Sequence, residues 1–159
     1  MKPMKVLLSS LAFMILFVAG CKPSGSERTA SQPAASSKET FVQVTGKSWK
    51  LDRWVGVDGS SQDVGPITMK VDENNRVSGN ASVNRYSGTV KFTEAGATDF
   101  SSGFISTKMM GLPEAMARET RFFAELRLIR SAGLENGRFV LTGDGSLRLE
   151  FAPEKTDAP

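Results

Sequence analysis

From Phe41 to Phe151 apolar and polar residues alternate over short runs, the period-2 pattern of half-buried β-strands. Phe41, Val42 and Val44 suggest a short first strand. Trp49, Leu51 and Val55 alternate with Lys50, Asp52 and Trp54. After a Gly/Ser/Asp-rich loop from Val57 to Pro66, Ile67, Met69 and Val71 alternate with Thr68, Lys70 and Asp72. The polar tetrad Asp72-Glu73-Asn74-Asn75 turns the chain, and Arg76 to Asn80 returns as the partner strand of a hairpin. Tyr86, Gly88, Val90 and Phe92 resume the alternation. Phe100 to Thr107 gives a weaker strand, because adjacent Phe104 and Ile105 leave its register open.

The period then changes. Ala115, Met116, Phe122, Phe123, Leu126 and Ile129 recur at helical spacing, and Leu112-Pro113-Glu114 reads as a helix start. This predicts a helix running to Ser131 and stopped by Gly133. Phe139 and Leu141, followed by Leu147, Leu149 and Phe151 after a Gly143-Asp144-Gly145 turn, predict a closing hairpin. One helix among about six to eight short strands makes residues 41–152 an α+β domain able to hold one core. The expected architecture is a strongly curved or barrel-like antiparallel sheet of short strands packed with one main helix. Residues 153–159 read as a polar tail.

The N-terminus carries an address rather than structure. Lys2 and Lys5 precede an apolar run from Val6 to Val18, shorter than the roughly 20 residues a bilayer span requires. The run ends in Val18-Ala19-Gly20-Cys21, the pattern of a bacterial lipobox. Residues 1–20 are therefore expected to be a lipoprotein signal peptide, with Cys21 as the lipidation site. Acyl chains contribute about 0.8 kcal/mol per buried CH₂, and two or more anchor stably. Lys22, rather than Asp, follows the cysteine, which under the sorting rule of enteric lipoproteins implies the outer membrane. Residues 22–40 contain no large apolar side chain. Together with Cys21 they read as a flexible linker (residues 21–40) with a mean span of roughly 20–25 Å.

Charge and chemistry narrow the function further. Loss of Lys2 and Lys5 with the leader lowers the whole-chain net charge of +3 by two units. No basic stripe remains, so nucleic-acid binding is unsupported. Cys21 is the only cysteine and there is no histidine. A Ser-His-Asp triad, a Cys-His pair and an imidazole-ligated metal site are therefore excluded. No catalytic residue, metal ligand or cofactor is expected.

One stretch stands out, Gly79-Asn80-Ala81-Ser82-Val83-Asn84-Arg85-Tyr86-Ser87-Gly88. Small residues and two glycines bracket one amide, one guanidinium and one phenol, which suits a sharp bend between strands. Gly79, Asn84, Tyr86 and Gly88 match the Gly-x-x-x-Cys-Asn-x-Tyr/Phe-x-Gly core of the META domain, the family of the heat-shock lipoprotein HslJ, which this chain resembles over residues 46–152. Thr107-Lys108-Met109-Met110-Gly111 resembles the family's second signature, Thr-x-Met-x-Cys, and Trp49-Lys50-Leu51 its early Trp-x-Leu. Glu119 falls where the family often carries an acidic residue. Val83 and Gly111 stand where the family usually has two cysteines, and their joint departure implies that the two positions face each other.

Each motif residue has a structural reading beside a functional one. Asn84 is a candidate ligand amide, but a short amide more often bonds the local backbone of its turn. Tyr86 is expected half-buried with its hydroxyl at the rim, and Thr107 bonded to the loop before the helix. Glu119, near the apolar helix face, reads as a buried hydrogen-bonded carboxylate rather than an acid. Met109, Met110 and Met116 are expected to fill core gaps. The resemblance implies no particular reaction. Two function classes follow: a non-enzymatic envelope lipoprotein that binds a protein partner or serves under envelope stress, and a barrel that binds a small ligand or lipid. A packed sheet interior would favour the first, a large empty one the second.

Overall fold

The computed structural model describes residues 37–93 and 97–154. Along the chain lie α1 (Ser37–Val44), β1 (Ser48–Val55), β2 (Thr68–Val71), β3 (Arg76–Asn80), β4 (Arg85–Thr89), β5 (Lys91–Phe92), β6 (Thr98–Asp99) and β7 (Phe104–Ser106). They are followed by α2 (Pro113–Leu126), β8 (Ile129–Glu135), β9 (Arg138–Gly143) and β10 (Arg148–Pro153). Eight strands form one sheet in the order β7-β4-β3-β2-β1-β10-β9-β8, every neighbouring pair antiparallel. The sheet curls into a half-barrel with α2 as its main helix, the architecture expected above. β5 and β6 form a separate small hairpin.

The inward residues of the strands and the apolar face of α2 make one core. Trp49, Leu51, Phe139 and Phe151 are buried from the sheet, and Phe122 and Leu126 from α2. Burying a side chain of this size contributes about 1.5–3 kcal/mol. Aromatic rings meet throughout, Trp54 against Phe122 at 6.1 Å and Trp49 against Phe139 at 5.7 Å between centroids. The concave side of the sheet is thus filled by side chains.

Four expectations need correction. Phe41, Val42 and Val44 lie in helix α1, not a strand, and this helix begins at Ser37, inside the stretch read as linker. Thr40 and Val44, one turn apart, are buried while Val42 is exposed, and the Phe41 ring packs 5.2 Å from that of Phe92. The Trp49 indole N–H donates to the Val44 carbonyl at 3.1 Å, and Gly46 (φ 77°) ends the helix. Second, Trp54 points inward. The pairing of β1 with β10 slips between Leu51 and Arg53, and this bulge reverses the alternation after Asp52.

Third, the helix stops at Leu126, and Ile129 opens strand β8 on the edge of the sheet. Gly133 is a strand residue opposite Val140, not a helix stop. Asn136 (φ 50°) and Gly137 (φ 76°) turn β8 into β9, the residue pair that a two-residue hairpin turn demands. Fourth, Pro153 ends β10 opposite Trp49, and the Glu154 N–H donates to the Ser48 carbonyl at 2.8 Å. Pro153 therefore belongs to the sheet, and the rest of the expected tail, residues 155–159, lies outside the described residues. The leader (1–20), Cys21 and residues 22–36 lie outside the described residues. Among those described, no helix is long and apolar enough to cross a membrane.

Candidate functional site

The motif stretch closes the end of the β3–β4 hairpin. Ala81 N–H donates to the Asn84 carbonyl at 2.8 Å, and Ser82 N–H to Asn80 Oδ1 at 2.8 Å. The turn is so tight that Ser82 sits at φ 106°, a conformation L residues seldom adopt. Arg118 of α2 holds it there, donating to Ser82 Oγ at 2.8 Å while pairing with Asp63 in the loop before β2. That pairing keeps the Asp63 carboxyl below the usual carboxylate range, aided by the Gly65 N–H.

Beside this turn Asn84, buried to 2% exposure, connects three segments. Its Oδ1 accepts from Thr107 Oγ1 at 2.8 Å and from the Met109 N–H at 2.7 Å. Its Nδ2 donates to the Met109 carbonyl at 3.3 Å and to Glu119 Oε1 at 2.8 Å. Glu119 Oε2 in turn accepts the backbone N–H groups of Asn84 at 2.7 Å and Val83 at 3.2 Å. The amide orientation is fixed by chemistry, because Met109 N–H can only donate and the Glu119 carboxylate can only accept. A buried carboxylate with three donors is a satisfied tie rather than an orphan charge.

Sequence reasoning named the members of this cluster and misplaced their partners. Asn84 bonds the distant Met109 backbone and Glu119, not mainly its own turn. Thr107 Oγ1 bonds Asn84 and accepts from the Arg85 N–H at 3.2 Å, so it ties to the motif loop and not to the helix approach. Met109 and Met110 are not core fillers: they are 61% and 95% exposed. Glu119 is buried and hydrogen-bonded as expected. The strap from Arg118 to Ser82 and Asp63 was missed, and the patternless loop 57–66 offered no signal for it. Also unforeseen, the Trp54 indole N–H donates to Glu125 Oε2 at 2.6 Å, a second carboxylate on the buried face of α2.

The motif glycines act through space rather than backbone freedom, since neither has positive φ. A Cβ on Gly79 would fall 2.0 Å from the Thr68 carbonyl oxygen, and one on Gly88 would lie 2.8 Å from that of Gly103. Gly79 lies opposite Tyr86, whose ring sits in the core instead of at the rim. Phe104, Phe122 and Phe123 surround it edge-on at 5.6–5.8 Å, and its hydroxyl donates to the Thr68 carbonyl at 3.1 Å.

Burial pushes the Tyr86 phenol well above its ordinary range. The folded domain therefore keeps a proton that the unfolded chain releases above about pH 10, so alkali favours unfolding. Stability is expected to fall above about pH 10, by as much as about 1.4 kcal/mol per pH unit from this group. Tyr86→Phe should remove that component while costing about 1 kcal/mol at neutral pH. As Tyr86 is the only tyrosine, phenolate absorbance during an alkaline titration checks this. Ionisation that precedes unfolding would contradict it.

Among the described residues no group of three or more His, Cys, Asp or Glu side chains is placed to hold a metal ion. A family model described as the META domain matches residues 42–156. No curated protein matches the chain. An NMR structure of a protein from Burkholderia xenovorans is 22% identical, with a TM-score of 0.67, covering 85% of this chain and 99% of that one. A second NMR structure is 20% identical with a TM-score of 0.52, covering 70% of this chain and 92% of the other. At such identities the likeness is one of fold.

Proposed function

Since the chain belongs to the META domain family, we propose that it is a non-enzymatic, lipid-anchored envelope protein of the HslJ-like kind that binds a protein partner, with a role in envelope stress. The observation that carries this reading is the segment Lys108 to Leu112. Its backbone is pinned by Asn84 at Met109, yet Met109, Met110 and Leu112 are 61%, 95% and 67% exposed. Large apolar side chains displayed together on a held backbone mark a surface that meets another molecule. Methionine is the side chain best able to adapt to a partner's shape. The aromatic-filled interior of the sheet weighs against the alternative, a small-ligand or lipid-binding barrel.

A photo-cross-linking residue at Met110, activated in intact envelopes, is expected to capture a defined protein. The same group at Val42, 70% exposed on α1, should capture none of it. Identical adducts from both positions would overturn the binding reading. The anchor has its own test. Cys21→Ser should shift the protein from the membrane fraction to soluble or unprocessed forms while the domain still folds. Retention in outer membranes after a carbonate wash would contradict lipidation at Cys21.

A further inference from the structure

The two edges of the sheet are treated differently. β8 is covered: Ala97 bridges to Ser131, and α1 and β6 pack beside it. β7 ends the sheet on the other side, and among the described residues no strand pairs with its outer edge. Its hydrogen-bond phase follows from its inner side. The Thr107 N–H donates to the Arg85 carbonyl at 3.0 Å, and Ile105 pairs with Ser87. By the alternation of an antiparallel ladder, the N–H and C=O groups of Phe104 and Ser106 point away from the sheet. Ile105 between them is 79% exposed. Neither a proline, a bulge nor a charged residue occupies this strand, the usual devices that blunt an edge.

We infer that β7 pairs with the β7 of a second copy of this chain, antiparallel about a two-fold axis through Ile105. In this register Phe104 of each copy exchanges N–H···O=C bonds with Ser106 of the other. The two Ile105 residues then meet as a non-hydrogen-bonded pair, with Cα atoms about 4.5 Å apart. Of the registers that the alternation allows, this one alone uses the outward groups of both residues in both copies. A one-residue slip would oppose groups already bonded to β4. One short segment thus supplies both complementary halves, which is the requirement of an isologous dimer. The pairing needs neither the lipid anchor nor a partner at Met110.

The test places Ile105→Cys in the full chain, whose only native cysteine is Cys21, and applies a mild oxidant to intact cells. The expected result is a reducible homodimer, identified by mass, that the parent chain and Val42→Cys do not form. Adding Ser106→Pro removes an outward N–H that the β4 ladder does not use, so the adduct should disappear while the melting transition persists. No adduct, an adduct equal to that of Val42→Cys, one that survives Ser106→Pro in a folded chain, or one with a different protein would each overturn the inference. Should Ser106→Pro fail to fold, sedimentation of the detergent-solubilised chain decides. There Ile105→Lys, at an exposed position, should convert a dimer to a monomer. A parent chain already monomeric, or a dimer unchanged by this substitution, refutes the pairing.

Discussion

Glu119→Ala is expected to destabilise the domain by about 3–5 kcal/mol, read from thermal or urea unfolding. The substitution strands three donors at once, the N–H groups of Val83 and Asn84 and the Asn84 amide. A stranded buried donor costs about 1–3 kcal/mol, and the three share one pocket, so their costs do not simply add. Glu119→Gln keeps the volume but not the pattern. Its oxygen can serve the two backbone donors, and its NH₂ then confronts the NH₂ of Asn84. Asn84 cannot turn round, because its Oδ1 is held by Thr107 and by the Met109 N–H. A loss of about 1–3 kcal/mol is expected for this variant. If both variants unfolded like the parent, the cluster would not be the structural tie described here. Any fall in partner capture at Met110 should track the loss of the Asn84 contact that pins the loop.

The strands of the two hairpins and the fold class were legible because each reports a local period. Ile67, Met69 and Val71 needed only their own neighbours to declare a strand, and the structure buries all three. Errors arose where distant contacts overrode local preference. Val42 and Val44 have strand-forming side chains, yet α1 forms because Thr40 and Val44 find burial and Trp49 caps Val44 from beyond the helix. A single inserted residue at Asp52 reversed the facing of Trp54, and periodicity cannot foresee a bulge. Ile129 continued the helical spacing by coincidence, and the stronger signal was nearby in Asn136-Gly137, which requires a strand on each side. At the site, the motif identified Asn84, Thr107 and Glu119. Their mutual bonds span 23 and 35 residues, and spacing carries no information about such closure.

Val83→Cys combined with Gly111→Cys is expected to form a disulfide under oxidising conditions and to raise stability by roughly 3–4 kcal/mol, the chain-entropy value for a closed loop of about 29 residues. The resemblance placed the two residues opposite each other, and the structure does the same. A Cβ built on Gly111 lies 3.4 Å from the Val83 Cβ, at the short end of the separation that a disulfide bridges. It also lies 2.6 Å from Val83 Cγ2, so the Val83 side chain occupies the space a residue at 111 would need. The single variants are therefore informative. Gly111→Ala alone should cost about 1–3 kcal/mol through overpacking against Val83. Adding Val83→Ala removes the γ-carbons and should recover part of that loss, giving a coupling between the two sites in a double-mutant cycle. Val83→Cys alone should gain nothing. The double cysteine variant should melt roughly 10–20 °C above the parent, and a reductant should abolish the gain. A double variant that remains in the thiol form, or melts no higher when oxidised, would show that the motif loop and the entry to α2 do not face each other as the structure has them.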